Sequence, residues 1–295
     1  MKRFIAGLVG LAGAATAVVA LPVSSATAPA QAATVSFAAV DPVNALKRQF
    51  RTGRGVRLIE TVRLDWKKNA TTIRRKGTLQ FGPSGVVAVD VVRRASSSRP
   101  VGKDNSVYVQ HMINVDGKHY YCDVIPTDAH LPVSKSWVRA SVDRPLQKWG
   151  TVFGDQEINV FEPATLALLL RASTHRLPDQ GGIQYRGTIT PAELRTASRS
   201  FRETTSFGSD GKEKPGKITW RLWVNNKGLV TRLVTRDAFA DLIDDYASDT
   251  RYSDWGAKVT ITAPPADQII DEDDVDYSTT RQTPPNAVLE QPPSN

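Results

Sequence analysis

The chain has 295 residues, 40% hydrophobic and 23% charged, with a formal net charge of +8. That length is compatible with one large β-rich domain. Its single cysteine, Cys122, excludes an internal disulfide, so stability must come from packing.

In chain order, Lys2 and Arg3 form a short positive n-region, and Ile5 to Leu21 is an uncharged run of Ala, Val, Leu, Ile and Gly. A softer Ser/Thr/Ala/Pro segment ends in Ala30-Gln31-Ala32. This pattern predicts a secretory signal peptide over 1–32, cut between Ala32 and Ala33, and an extracytoplasmic destination. The alternative is an uncleaved anchor, but the Gly and Ala content weakens the apolar run as a membrane span. No cysteine near Ala32 can take a lipid, so the expectation is a secreted, unanchored protein. Cleavage leaves 36 basic and 30 acidic residues over 263 positions, a net charge of +6. The excess favours anionic envelope surfaces, and export argues against a nucleic-acid partner.

Asp41 to Phe50 predicts the first helix, with Asp41 as N-cap, Pro42 opening it, and Val43, Leu46 and Phe50 at helical spacing. In VRLIETVRLDW, Val56, Leu58, Val62, Leu64 and Trp66 share one parity. Arg57, Thr61, Arg63 and Asp65 occupy the other, as in a half-buried antiparallel strand. The polar KKNATTIRRK stretch, Lys67 to Lys76, reads as a hairpin connection re-entering a strand. GTLQF and VVAVDVVRR flank a turn at Gly82-Pro83-Ser84-Gly85, and Asp116-Gly117 joins VYVQHMINV to KHYYCDVI.

Farther on, Glu162 to Arg171 predicts a helix opened by Pro163 and apolar on nearly every side, which must be buried all round or face an apolar cavity. Thr190 to Ser198 predicts another, with Thr190 and Glu193 at capping-box spacing. Lys217 to Val224 and Leu229 to Phe239 pair across Asn225-Asn226-Lys227-Gly228, and Trp220 and Trp223 point to opposite sides. A last strand is expected at Lys258 to Thr262, before Pro264-Pro265. Eight to eleven strands, mostly sequential neighbours, predict a meandering antiparallel sheet. From Asp271 the chain turns acidic and then Pro-rich, predicting a disordered tail over 272–295.

Catalytic motifs are missing: there is no GxSxG elbow, HExxH pair or phosphate-binding glycine loop. His111 and His119 lie on opposite arms of one hairpin near Cys122, but packing outweighs a metal site there, and Cys122 within YYCDVI reads as a small core residue. Asn69-Ala70-Thr71 matches a glycosylation sequon, a weak signal alone. The reading is a non-enzyme without cofactor, metal or catalytic residues.

Several segments together resemble the LolA-like superfamily, within it the LppX/LprG-type lipoproteins of the actinobacterial envelope. DPVNALKRQF is similar to the amphipathic first helix, and RRKGTLQFGPSGVVAVDVV to the following hairpins. FEPATLALLLRAS and TPAELRTAS resemble the short central helices, WRLWVNNKGLVTRLVTR the late hairpin, and YSDWGAKVTITAPPADQIID the closing strand and its exit. The resemblance spans Asp41 to Asp271 and departs in lacking a lipobox cysteine. It implies an α+β fold over 33–271: a single curved antiparallel sheet, a half-open incomplete barrel, with short helices over its concave face. It further implies a carrier of lipid or acylated ligand. Apolar parity and the Leu helix then nominate Leu64, Trp66, Leu79, Val89, Leu166, Leu169, Leu170, Trp220 and Leu222 as the lining. Two other readings stand beside it: an RseB-like regulatory module binding an envelope protein, and an envelope hydrolase using His119 or Cys122.

Overall fold

A computed structural model describes residues 40–66, 69–97, 108–123, 134–141, 156–204, 216–237 and 245–275. The expected signal peptide and the Pro-rich end of the tail lie outside them. The described chain forms a curved, unclosed sheet of twelve strands with four short helices. Its strands are β1 (Arg54–Trp66), β2 (Asn69–Gly82), β3 (Gly85–Ser97), β4 (Tyr108–Val115), β5 (Lys118–Asp123), β6 (Trp137–Arg139), β7 (Ser173–Asp179), β8 (Gly182–Ile189), β9 (Ile218–Asn225), β10 (Val230–Asp237), β11 (Asp245–Lys258) and β12 (Ile269–Asp271). The spatial order is β12-β6-β5-β4-β3-β2-β1-β11-β10-β9-β8-β7. It consists of two meanders joined where β1 pairs with β11, so the N- and C-terminal halves meet at the centre of the sheet. All pairings are antiparallel except β12 on β6.

The turns follow from their residues. At β4–β5, Asp116 and Gly117 have φ of 53° and 70°, as a type I′ hairpin requires. At β9–β10, the Asn225 carboxamide oxygen accepts from the backbone N–H groups of Lys227 and Leu229, both at 3.0 Å.

Helix α1 (Pro42–Gln49) has the expected cap, the Asp41 carboxylate accepting from Val43 N–H at 2.9 Å. Helix α2 (Pro163–Arg171) follows its proline, α3 (Pro191–Ala197) carries the full capping box, and α4 (Arg199–Thr204) succeeds it directly. Leu46 of α1, Leu166 and Leu169 of α2, Leu194 of α3 and Phe201 of α4 pack on one face of the sheet. They meet Val56, Leu58, Leu79, Phe81, Val89, Val91, Trp220 and Leu222 in one core. Burying Leu166 and Leu169 completely contributes about 4 kcal/mol before chain ordering is charged against it.

Three expectations are corrected. Lys67 to Lys76 is largely strand: β2 begins at Asn69, because Thr71, Ile73 and Arg75 turn inward while their neighbours face out. The last long strand is Asp245–Lys258 rather than Lys258–Thr262; its small and polar inward residues, Ser248 and Thr250, hid its alternation. Residues after Lys258 instead cross the outer face, where Ile261 and Ile269 cover Ala88, Ile113 and Tyr120, before β12 docks on β6. The described chain continues past Asp271 through a single 3₁₀ turn (Glu272–Asp274) to Val275, and Glu272 is buried.

Candidate functional site

The helix-covered face is layered. Nearest the helices lies the apolar bed built on Val56, Leu58, Leu79, Phe81, Val89 and Val91. Farther along the same strands is a second, smaller apolar cluster of Val62, Leu64, Ile73 and Ala95, with Tyr246 against it. Between them a polar seam crosses the sheet at one register level. Thr250, Glu60, Arg75, Arg93 and Gln110 are successive cross-strand partners on β11, β1, β2, β3 and β4, and all five are buried.

The seam is hydrogen-bonded from β10 to Glu60 on β1. Thr235 on β10 donates its hydroxyl to the Gln156 carboxamide oxygen at 2.8 Å. The Gln156 amide donates to Ser248 Oγ at 3.1 Å and to Thr250 Oγ1 at 3.4 Å. Thr250 donates to Glu60 Oε2 at 3.0 Å, and Arg75 Nη1 lies 3.7 Å from Glu60 Oε1. Buried polar groups persist where they are connected in this way. Beside Glu60, burial pushes the Tyr252 phenol well above its ordinary range, and the carboxylate adds to that shift.

At the β5 end, Glu272 accepts from Ser141 N–H at 2.9 Å and from the Tyr121 hydroxyl at 3.3 Å. Burial there lowers the pKa of His119 to about 4, with Glu272 opposing and Arg75 reinforcing the shift. No acceptor or donor reaches His119 Nδ1. The hairpin register sets His111 opposite Cys122 and His119 opposite Asn114, so the two histidines occupy opposite faces. His111 instead contacts Asp90 at 2.7 Å and the Trp137 ring edge-on. Among the described residues no group of three or more His, Cys, Asp or Glu is arranged to hold a metal ion.

Of the nine nominated lining residues, the fold brings Leu79, Val89, Leu166, Leu169, Trp220 and Leu222 into one core, with Leu170 half-buried against it. Leu64 belongs to the second cluster, beyond the seam. Trp66 ends β1, and its side chain lies outside the described residues. Helix α2 divides its leucines: Leu166 and Leu169 are buried in the core and the half-buried Leu170 packs against it, while the half-buried Leu168 lies on the other side, so the helix is apolar on both sides. The Trp220 indole N–H is buried without an acceptor. Trp223, on the opposite side of β9, stacks under the Arg232 guanidinium at 4.8 Å.

Two clefts open at the α1 end, and neither is lined by any of the nine. One of about 300 Å³ is bounded by Arg48, Gln49, Arg51, Arg54 and Gly256. The other, of about 430 Å³, shares Gln49 and adds Asn225, Lys227, Leu229, Thr231, Tyr252, Ser253, Asp254 and Trp255. Tyr252 and Trp255 belong to an aromatic cluster with Phe50, Phe81 and Phe161.

The seam is not legible in the sequence because each of its charges sits alone in an otherwise apolar parity. The available signal was Ile59-Glu60: strict alternation in β1 sends Glu60 inward and leaves Ile59 55% exposed. The basic run Arg48, Arg51, Arg54 at a spacing of three was equally legible.

No family model matches the chain, and no curated protein matches it. Among solved structures, a DUF1329 family protein from Desulfovibrio piger is similar at 10% identity, with a TM-score of 0.21, over 76% of this chain and 96% of that one. A likeness of this size is a weak structural neighbourhood and assigns neither family nor activity.

Proposed function

We propose that the protein is a secreted, non-catalytic binder of lipid or acyl chains, held between the helix layer and the sheet as in LolA-like carriers. The observation that carries this reading is the two-sided apolar character of α2 over a continuous apolar bed. A helix that turns Leu166, Leu169 and Leu170 to the core while presenting Leu168 on its other side keeps apolar contacts whether it lies on the sheet or lifts from it. An acyl chain entering beneath it replaces leucine contacts by methylene contacts, each buried methylene contributing about 0.8 kcal/mol. The acceptor-free Trp220 N–H supplies a polar handle in that bed.

The test is native mass spectrometry of detergent-free protein, followed by organic extraction and by uptake of offered palmitate and phosphatidylethanolamine. An extractable adduct or stoichiometric uptake is expected. A clean apo mass with no uptake overturns the proposal.

A second reading, a module that binds an envelope protein, draws on β7. This strand ends the sheet order, and six of its seven residues are exposed, Leu177 among them. An extended partner segment can add to such an edge, although Pro178 offers it no N–H. A stoichiometric partner recovered from membranes and lost with Leu177→Lys is the expected result under that reading; retained capture overturns it.

A further inference from the structure

The cleft between α1 and β11 is lined by three arginines. Helix α1 ends at Gln49, and the chain reaches β1 through a short turn in which Gly53 takes φ of +69°. Three features hold that turn in place. Phe50 packs on Phe81 with ring centroids 5.6 Å apart, Arg54 N–H donates to the Arg51 carbonyl at 3.1 Å, and Val259 N–H donates to the Gly53 carbonyl at 3.1 Å. The result displays Arg48, Arg51 and Arg54 around one recess of about 300 Å³, closed on its far side by Gly256.

Gly256 has φ of +79°, and a Cβ there would stand 3.2 Å from Gln49 Oε1, so the wall is backbone pressed close to the recess. Arg54 is oriented by donating Nη1 to the Gly256 carbonyl at 3.1 Å. The side chains of Arg48 and Arg51 have no hydrogen-bond or ion-pair partner among the described residues, and no carboxylate lines the recess. The nearby Asp254 is engaged by Arg57 at 3.2 Å and lines the adjoining cleft. The carbonyl end of α1 offsets about half a positive charge, which leaves most of the guanidinium charge uncompensated.

We propose that this recess binds a phosphoryl group. Three arginines lining one recess suit the several acceptor oxygens of a phosphate better than the two of a carboxylate. The neighbouring cleft, with Lys227, Asn225, Thr231 and Ser253 beside Leu229, Tyr252 and Trp255, accommodates the polar and apolar remainder of a phosphate ester across the shared Gln49. The site stands on its own geometry and does not depend on lipid entering beneath α2. The phosphoryl group belongs either to a lipid headgroup or to a soluble ester.

The experiment compares the full chain with two charge-matched variants. One is Arg48→Glu/Arg51→Glu; the other is Arg221→Glu/Arg251→Glu, which removes two exposed arginines elsewhere. Binding of glycerol 3-phosphate is followed by calorimetry, and binding to phosphatidylglycerol/phosphatidylcholine vesicles by flotation. Circular dichroism checks folding, and Arg48→Gln/Arg51→Gln replaces the first variant should it misfold. The expected result is a loss of about tenfold or more in affinity for the recess variant and little change for the control. Loss in both assays places a free phosphate ester among the ligands, and loss in the vesicle assay alone assigns a lipid headgroup. Equal loss in both variants overturns the site in favour of a diffuse basic field, and absence of binding by the unaltered chain overturns it outright.

Discussion

Glu60 and Arg75 face each other across the β1–β2 register with Oε1 and Nη1 3.7 Å apart, each side chain 1% exposed. They sit where alternation alone would place two more aliphatic residues, so the sheet carries a buried charge pair through the middle of its covered face. Separating two such charges from water is expensive, and removing one leaves the other uncompensated.

Glu60→Ala or Arg75→Ala is therefore expected to destabilise the fold by about 3–5 kcal/mol. Replacing both with apolar residues of similar volume, Glu60→Leu with Arg75→Met, costs far less than the sum. Urea denaturation of the two single variants and the paired replacement checks this. Strict additivity would mean that the two side chains act independently.

His119 makes stability depend on pH. Burial holds its folded-state pKa at about 4, below the ordinary value of 6.5, so the unfolded chain binds the extra proton first. Its contribution is complete above pH 6.5 and is lost as the pH falls from there towards 4. The full loss is about 3 kcal/mol. Unfolding free energies at pH 7 and pH 4.5 should differ less in His119→Gln than in the unaltered protein; an unchanged difference places the titration elsewhere.

Gly187 of β8 lies directly against the Trp220 ring. A Cβ at that position would stand 2.5 Å from Cζ2 of the indole and 2.6 Å from the Ala172 carbonyl oxygen, just after α2. Gly187→Ala should displace Trp220 or α2 and cost about 1–3 kcal/mol. A lowered melting temperature with altered near-UV circular dichroism or tryptophan emission is the expected signature, and native spectra with native stability would count against the contact.

Thr190 and Glu193 close the N-terminus of α3. The Glu193 carboxylate accepts from Thr190 N–H at 2.8 Å, and the Thr190 hydroxyl accepts from Glu193 N–H at 3.2 Å. The Thr190 N–H, and the Thr190 hydroxyl donating to the same carboxylate oxygen at 2.9 Å, hold the Glu193 carboxyl below the usual range, so the box is intact above ordinary carboxylate pKa values and weakens as the pH falls through the folded value. Thr190→Ala should cost about 1 kcal/mol, measured by denaturant midpoint, and Thr190→Ser much less.

Features that depend on near neighbours are written directly in the chain. Asp41-Pro42 and Thr190-Pro191 start helices because their caps lie within three residues. Asp116-Gly117 makes its turn because both residues tolerate positive φ, and Val56, Leu58, Val62 and Leu64 share a face because side chains alternate along a strand. Features that depend on residues far apart emerge with the fold. Ser248 and Thr250 look like loop residues until Gln156 and Glu60 arrive from distant segments to satisfy them. Ile261 and Ile269 look like a departing tail until they find Ala88 and Ile113 on the outer face. Arg48, Arg51 and Arg54 are a scattered basic run until the β11 backbone at Gly256 closes a recess around them. In each case a local pattern records the side chain's polarity, while its partner, and with it the free energy of burying it, comes from hydrogen bonds and packing formed across the sheet.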